Sequence, residues 1–412
     1  MASREALAQG GIINLMKICY ISNVYPPHVR GGAERVVAQL AREMSNRGHH
    51  VDVLTSAPWS EVEFGEIVRE ENGVRVHRMF HWTLYFNLFS ARFPTGVRLI
   101  NLIWSLINVP FALRVLLKLR TLKPDVVHTH NLAGTSFLIP LVVRALHLKH
   151  VHTVHDIQLA VASGRMLVDD EFDWVHAGWP ARVFQSIQRT LWRSPSVVTA
   201  PSEWLLKFYQ SKKYFRQSKL ECVRHYFGVP AARATEFPQA HIAREKFTLL
   251  YVGQIVRAKG VLMLIRQFAD LFERGEFPDS ELIIVGTGDD QKSAEALATS
   301  CDAIQIVGAL DSSRVAHLMR ASDVIVVPSL LYENSPTVVI EALALGRPVS
   351  VSNVGGAAEL VQHADGGWVV APNEQAWREH LTWLSNNRQS VVQKIPLLHV
   401  PAAVPEFEKL YG

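Results

Sequence analysis

The run ENSPTVVIEALALGRPV at residues 333–349 places two carboxylates in an otherwise apolar, helix-like stretch, Glu333 ahead of it and Glu341 inside it. Ser335 suits a helix N-cap, Pro336 suits the first helical position, and Gly346 suits the stop. The N–H groups of Thr337 and Val338 would then face out of the helix start, a place that favours phosphate. Glu341 follows Thr337 by four residues and shares a face with Ala344 and Leu345. A carboxylate buried there without donors is costly or becomes protonated. Glu341 is therefore expected to find donors, either hydroxyls of a ligand or a buried Arg or backbone group of the chain. Carboxylates on either side of an anion site suit a ligand with phosphate in its middle and hydroxyl-rich groups at both ends, which describes a nucleotide sugar.

Three further sites carry candidate chemistry. In VGQIVRAKGV (252–261), Gly253 closes a strand-like run and Lys259 stands near the next helix start, where a cation is disfavoured unless an anion is bound. In HVRGGAERVV (28–37), Gly31 and Gly32 precede a helix and would let backbone approach a phosphate; a tight turn needing positive φ is the plainer explanation, and they do not form the dinucleotide fingerprint. In VHTVHDI (151–157), His155 ends a strand and could hydrogen-bond a sugar hydroxyl or move a proton, or could be an ordinary satisfied polar residue. No His/Cys cluster has ligand spacing and no Asp-x-Asp closes a strand, so no metal is expected.

The elements that must hold these residues alternate between short β-branched runs and longer amphipathic stretches. Strands are expected at 17–22, 50–56, 74–79, 124–130, 151–156 and 196–202, with helices at 33–48, about 97–121 and about 134–147. The tract FGVPAARATEFPQAHIAREK (227–246) has no period and reads as a linker. Strands at 248–253, 281–286, 304–308, 323–328, 348–352 and 366–370 then alternate with helices at 259–274, 290–300, 312–320 and 336–345. The fold class is α/β, with two Rossmann-like parallel-sheet domains and a ligand expected in the cleft between them. The expected division is an extension at 1–15, a first domain at 16–230, a linker at 231–246, a second domain at 247–390 and a closing segment at 391–412.

Composition narrows the class. The 412 residues need more than one core, and 48% apolar with 19% charged residues is globular. Between Phe80 and His150 eight Lys/Arg face one acid, Asp125, in a strongly apolar segment. Such a segment suits an anionic membrane face or a lipid-linked phosphate, and equally a core helix with solvated Arg ends. Its longest uncharged apolar stretch, Leu99–Leu113, is too short to span a bilayer, so any membrane contact would be peripheral. Cys19, Cys222 and Cys301 form neither a disulfide framework nor a metal spacing, and residues 1–15 are not a secretory signal. A cytoplasmic setting is expected, with no nucleic-acid partner.

Four motifs in order, GGAERVV, VHTVHDI, LLYVGQIVRAKG and YENSPTVVIEALALGRPVSVSNVGGAAELV, resemble the retaining glycosyltransferases of family 4, which have the GT-B architecture. The resemblance covers nearly the whole chain from Met16, and VPEFEKLYG (404–412) is similar to the terminal helix that crosses back to the first domain in that fold. It implies that Glu341 holds the ribose of the donor and Glu333 the hydroxyls of the transferred sugar. Lys259 and the helix start at Ser335, Pro336, Thr337 and Val338 would steady the leaving diphosphate, with Gly253 beside it. His155 would meet the reacting sugar through its ring or its carbonyl, and Gly31 and Gly32 would admit the phosphates. The implied activity is retaining hexosyl transfer from a nucleotide diphosphate-sugar to a hydroxyl, without a metal, other cofactor or protein nucleophile. The acceptor would be lipid-linked or membrane-side, as in cell-surface polysaccharide or glycolipid assembly. Where many members carry Arg after the glycine of this motif, the chain has Gln254, which removes a cation from beside the leaving group. Two alternatives fit the same residues: a non-catalytic binding subunit of an active transferase, and a GT-B epimerase acting on a nucleotide sugar.

Overall fold

The computed structural model describes residues 14–29, 31–168, 170, 173–224, 246–397 and 403–412. The linker expected at 231–246 and the end of the first domain at 230 fall almost wholly outside these residues, as does most of the 1–15 extension. By their contacts the residues divide into two compact units, Met1–Thr153 with Leu191–Val197 and Glu408–Gly412, and Val154–Thr190 with Val198–Phe407.

The larger sheet contains β1 (Lys17–Ser22), β2 (His50–Ala57), β3 (Glu66–Glu71), β4 (Val74–Phe80), β5 (Val126–Thr129), β6 (Lys149–Thr153), β7 (Val197–Ala200) and β8 (Lys219–Cys222) in the order β3-β4-β2-β1-β5-β6-β7-β8. The runs of β1, β2, β5 and β6 are buried almost end to end, as a parallel sheet covered on both faces requires. β3 departs from the expected parallel pattern. It pairs antiparallel with β4, and its mostly polar, exposed sequence EIVREE carries no strand signal. Imidazoles fill the interior beside β5 and β6. His128 bonds the hydroxyls of Tyr411 (2.6 Å) and Thr153 (2.7 Å), while the Thr129 hydroxyl meets His150 (2.8 Å) and His152 (2.9 Å). Tyr411 ends the Ala403–Tyr411 helix, so this network fastens the chain terminus to β5.

The helix expected over about 97–121 is two helices, Thr95–Leu106 and Val109–Leu122. Pro110 cannot continue the first, and the Asn108 side chain caps the second by accepting from the Phe111 N–H at 3.3 Å. The helix expected over about 134–147 shrinks to Ile139–Ala145, because Gly134 at φ 83° and the turn around Thr135 precede it. The helices Trp179–Leu191, Glu203–Ser211 and Glu374–Asn386 were not expected.

The smaller sheet contains β9 (Phe247–Val252), β10 (Ser280–Val285), β11 (Ile304–Gly308), β12 (Val324–Val327), β13 (Val349–Ser352) and β14 (Gly367–Val370) in the order β11-β10-β9-β12-β13-β14. All five of its ladders are parallel. The order reverses between β9 and β12, and open α/β sheets bind ligands at the carboxyl ends of strands at such a point. The loops leaving those two strands carry Gly253 to Lys259 and Ser329 to Pro336.

Candidate active site

Backbone packing at the ends of β9 and β10 fixes where the first loop goes. The Gly253 N–H donates to the Val285 carbonyl at 3.0 Å, and a Cβ on Gly286, at φ 139°, would lie 1.8 Å from the Gly253 oxygen. The chain then turns through Gln254, whose carbonyl accepts from the Tyr251 hydroxyl at 2.7 Å and whose side chain is exposed. Arg257–Lys259 form one 3₁₀ turn, closed by Gly260 at φ 71°. A Cβ on Gly260 would sit 1.9 Å from the Pro328 carbonyl oxygen, and the Leu330 N–H donates to the Ala258 carbonyl at 2.9 Å. Glycine at 260 thus lets the turn close onto the loop after β12, and Lys259 reaches that loop.

There the Lys259 ammonium pairs with the Glu333 carboxylate, with side chains 21% and 20% exposed. The backbone around Glu333 is held separately. Its carbonyl accepts from the Gly356 N–H at 2.7 Å, and a Cβ on Gly355, at φ 67°, would fall 2.1 Å from the same oxygen. The adjacent Asn334 is buried, donates to the His155 carbonyl at 3.1 Å and accepts from the Ser202 hydroxyl. His155 therefore joins this cluster through its backbone carbonyl. The Tyr332 N–H donates to the Met166 carbonyl at 3.0 Å, and the Tyr332 ring stacks on Trp204 at 5.3 Å. Burial, and after it the Glu333 carboxylate, pushes the Tyr251 phenol far above its ordinary range, which keeps it a neutral donor.

The helix at 337 begins one residue later than expected. Thr337–Ala344 is the helix, Pro336 is its cap residue at φ −66° and ψ 122°, and no side chain caps it, so Ser335 lies outside the cap. The buried face is Val339, Ile340, Ala342 and Leu343; Thr337 is exposed, while Val338, Glu341, Ala344 and Leu345 are half-buried. The expectation that Glu341 lies in a sealed face is thereby corrected. A short helix docks through one stripe, and Ala344 and Leu345 line its more open side, so Glu341 keeps access to solvent or ligand.

Gly31 and Gly32 lie in the other unit. Gly32 opens the Gly32–Asn46 helix, and the Gly31 N–H donates to the buried Glu34 carboxylate at 2.9 Å. Gly31 has φ −157°, which any residue adopts, and a Cβ there would meet only the Glu34 oxygen at 3.8 Å. The reading of a tight turn needing positive φ is thus overturned at Gly31. An anion at this N–H would have to displace Glu34.

The structure thus gathers Gly253, Gln254, Lys259, Glu333 and the His155 carbonyl at the ends of β9 and β12. Sequence reasoning missed Asn334, Ser202, Tyr251, Gly260 and the Gly355–Gly356 pair as their supports. The glycine pair was legible as NVGG, a signal for close backbone approach.

The chain is similar to known proteins. The family described as Glycosyl transferase 4-like domain matches residues 31–224, and that described as Glycosyl transferases group 1 matches 232–395. An uncharacterized glycosyltransferase of Methanocaldococcus jannaschii is 27% identical over 88% of this chain and 87% of its own. The glycogen synthase of Mycobacterium tuberculosis is 29% identical over 88% of this chain and 84% of its own. A putative teichuronic acid biosynthesis glycosyltransferase of Bacillus subtilis is 24% identical over 89% and 88%. Among solved structures, sucrose-phosphate synthase from Thermosynechococcus elongatus aligns with a TM-score of 0.65 at 22% identity, covering 96% of this chain and 98% of that one. Anabaena HepE in complex with UDP aligns at 0.62 and 16% identity, covering 96% and 99%. At these identities the structural likeness speaks for the fold.

Proposed function

The chain belongs to the GT-B glycosyltransferases of the family 4 type, and from that premise we propose a retaining, metal-independent hexosyl transfer to a lipid-linked or membrane-side hydroxyl acceptor, in cell-surface polysaccharide or glycolipid assembly at the cytoplasmic face of the membrane. Nucleotide sugars are the donors of such an enzyme. The observation that carries the reading is the Lys259–Glu333 pair at the strand-order reversal of the smaller sheet. A cation and a carboxylate side by side suit a diphosphate joined to a hydroxyl-rich sugar. The basic, apolar segment from Phe80 to His150 supports the membrane-side acceptor, and the teichuronic acid relative supports the cell-surface role.

In this mechanism Lys259 and the first-turn N–H groups of the Thr337–Ala344 helix stabilise negative charge gathering on the leaving diphosphate. Glu333 accepts hydrogen bonds from hydroxyls of the sugar, and Glu341 from those of the ribose. The bond between the anomeric carbon and the phosphate oxygen breaks. The acceptor oxygen bonds to that carbon on the same face, and its proton passes to the departing phosphate. The His155 carbonyl stands beside this path, oriented by Asn334.

The test is nucleotide diphosphate release from UDP-, GDP- and ADP-sugars in the presence of a polyprenyl-linked sugar acceptor, with the product anomer read by NMR and parallel reactions in EDTA. HepE has been solved in complex with UDP-glucose, so UDP-glucose heads the series. Release that needs acceptor, survives EDTA and keeps the donor's anomeric configuration is expected. No release with any donor, or an inverted product, overturns the reading. Gln254 favours a second reading, a non-catalytic subunit that binds donor without turning it over. Donor binding without release in the wild type, unaltered in Gln254→Arg, would favour it.

A further inference from the structure

The Thr95–Leu106 helix is built inside out. Its buried residues are polar, Asn101 and Ser105, while Leu99, Ile100, Ile103 and Trp104 are each about half exposed, at 56%, 56%, 52% and 47%. The inward polar residues are hydrogen-bonded. Asn101 accepts from the Leu84 N–H at 2.8 Å, the Ser105 hydroxyl donates to the Asn101 carbonyl at 2.8 Å, and the Ser105 carbonyl accepts from the Phe137 N–H at 2.9 Å. Just past the helix, the buried Asn108 donates to the His81 and Thr135 carbonyls at 2.9 and 2.8 Å. The helix is thus anchored by polar contacts and turns its apolar face outward, the reverse of an ordinary surface helix. The outward stripe continues as Ile107 and, on the Val109–Leu122 helix, as Leu113 and Leu117, 62%, 53% and 61% exposed.

We infer that this face docks on an anionic phospholipid surface. The inference rests on the membrane-side reading above and names the element that would make the contact. Charge selects the occupant. From His81 to Lys123 the chain has no Asp or Glu, and it carries Arg92, Arg98, Arg114, Lys118, Arg120 and Lys123. Arg92, Arg98, Arg120 and Lys123 are exposed, and each cation near an anionic leaflet is worth about fivefold in partitioning. Trp104 also has the character of an interfacial anchor, with an exposed ring whose N–H donates to the Trp82 carbonyl at 2.8 Å. Among the described residues no single helix is long and apolar enough to cross a bilayer; these two reach that length and apolarity only together, across a 40° bend, and the proposal lays them along the surface.

The test is flotation of the full chain with phosphatidylcholine vesicles containing none or about a third phosphatidylglycerol, comparing the wild type with the triple variant Leu99→Asn, Ile103→Asn, Ile107→Asn. Burying one Leu or Ile is worth roughly tenfold, so losing three half-embedded side chains should weaken binding at least about thirtyfold. Wild type floating with anionic vesicles, less with neutral ones, and the variant staying in the soluble fraction is the expected result. Wild type failing to float, or the variant floating equally, overturns the proposal. So does a wild-type dimer in sedimentation that the variant converts to monomer with no vesicle binding by either, because that face would then be covered by a second copy. Donor-induced thermal shift and turnover on a detergent-dispersed acceptor are read on both proteins, so failure of the transferase reading shows there while flotation judges the docking face alone.

Discussion

Replacing Lys259 with Met should separate catalysis from folding. The ammonium lies against Glu333 with about four-fifths of each side chain removed from solvent. At an effective dielectric of about 20, a unit charge about 4 Å from a phosphate oxygen gains roughly 4 kcal/mol. Only the part that grows as charge collects on the leaving group accelerates the reaction. One preorganised donor of this kind is worth roughly 3–4 kcal/mol, or about a hundred- to a thousandfold in kcat. The folding cost is expected to be smaller, on the order of 1–2 kcal/mol, because Glu333 retains some access to water and its backbone is held by Gly356 rather than by Lys259. The assay is nucleotide diphosphate release beside a urea denaturation curve. Lys259→Met should lose at least about a hundredfold in kcat with a modest loss of stability. Glu333→Gln should raise KM or lower kcat through the sugar hydroxyls, and the double variant should lose less than the product of the two. A Lys259→Met enzyme within about threefold of wild type would refute the role assigned to the cation.

Gly355→Ala would press a Cβ to 2.1 Å from the Glu333 carbonyl at φ 67°, so stability should fall by more than about 2 kcal/mol and the donor-induced thermal shift should shrink; an unchanged shift would count against the loop's role. Gln254→Arg returns a cation to the loop after β9 and should raise kcat several-fold with little change in stability, since residue 254 is exposed; turnover that stays level or drops would argue against the missing charge as the limit on rate. Burial lowers His150 to about 3 and His81 to about 4, so the folded protein keeps both neutral. Their pKa values are depressed on folding, so their contribution to stability is complete above about pH 6.5 and is lost as pH falls toward those values. Between about pH 6 and pH 4 the two together should cost roughly 2.3 kcal/mol per pH unit, read from urea midpoints, and a flat profile from pH 7 to 5 would contradict it.

What was legible in the sequence was whatever a period or a chain punctuator encodes. The alternation of β-branched runs with amphipathic stretches located all six strands of the smaller sheet, because buried parallel strands read as continuous apolar runs. β3 was hidden, since EIVREE faces solvent and owes its strand state to β4. Pro110 marked a helix break that hydrophobicity obscured, because both flanking segments are apolar. Lys259 and Glu333 were legible as charges in the wrong place, a cation near a helix start and an acid beside an apolar helix. Their pairing was not legible, because it depends on Gly260 closing onto Pro328, an approach between residues 68 positions apart. Asn334 was passed over for a related reason. Its partners, the His155 carbonyl and the Ser202 hydroxyl, lie far off in sequence and leave no local trace.

The division of labour around Glu333 explains how one loop could both hold its shape and respond to a donor. Its carbonyl is fixed by Gly356, and Asn334 next to it is fixed by Ser202 and the His155 carbonyl; none of these contacts involves a formal charge. Among the described residues, the ion pair on the Glu333 side chain is the one with Lys259, across a partly open boundary. On the proposed reading, a diphosphate arriving beside Lys259 would compete for that cation and for nothing that sets the backbone. The carboxylate would then be left in place with its hydrogen-bonding capacity freed, where a sugar attached to that diphosphate would offer hydroxyl donors. Neutral contacts thus set the geometry and the ion pair supplies the exchangeable part, so the free site keeps both charges compensated without the loop having to rebuild when the donor enters.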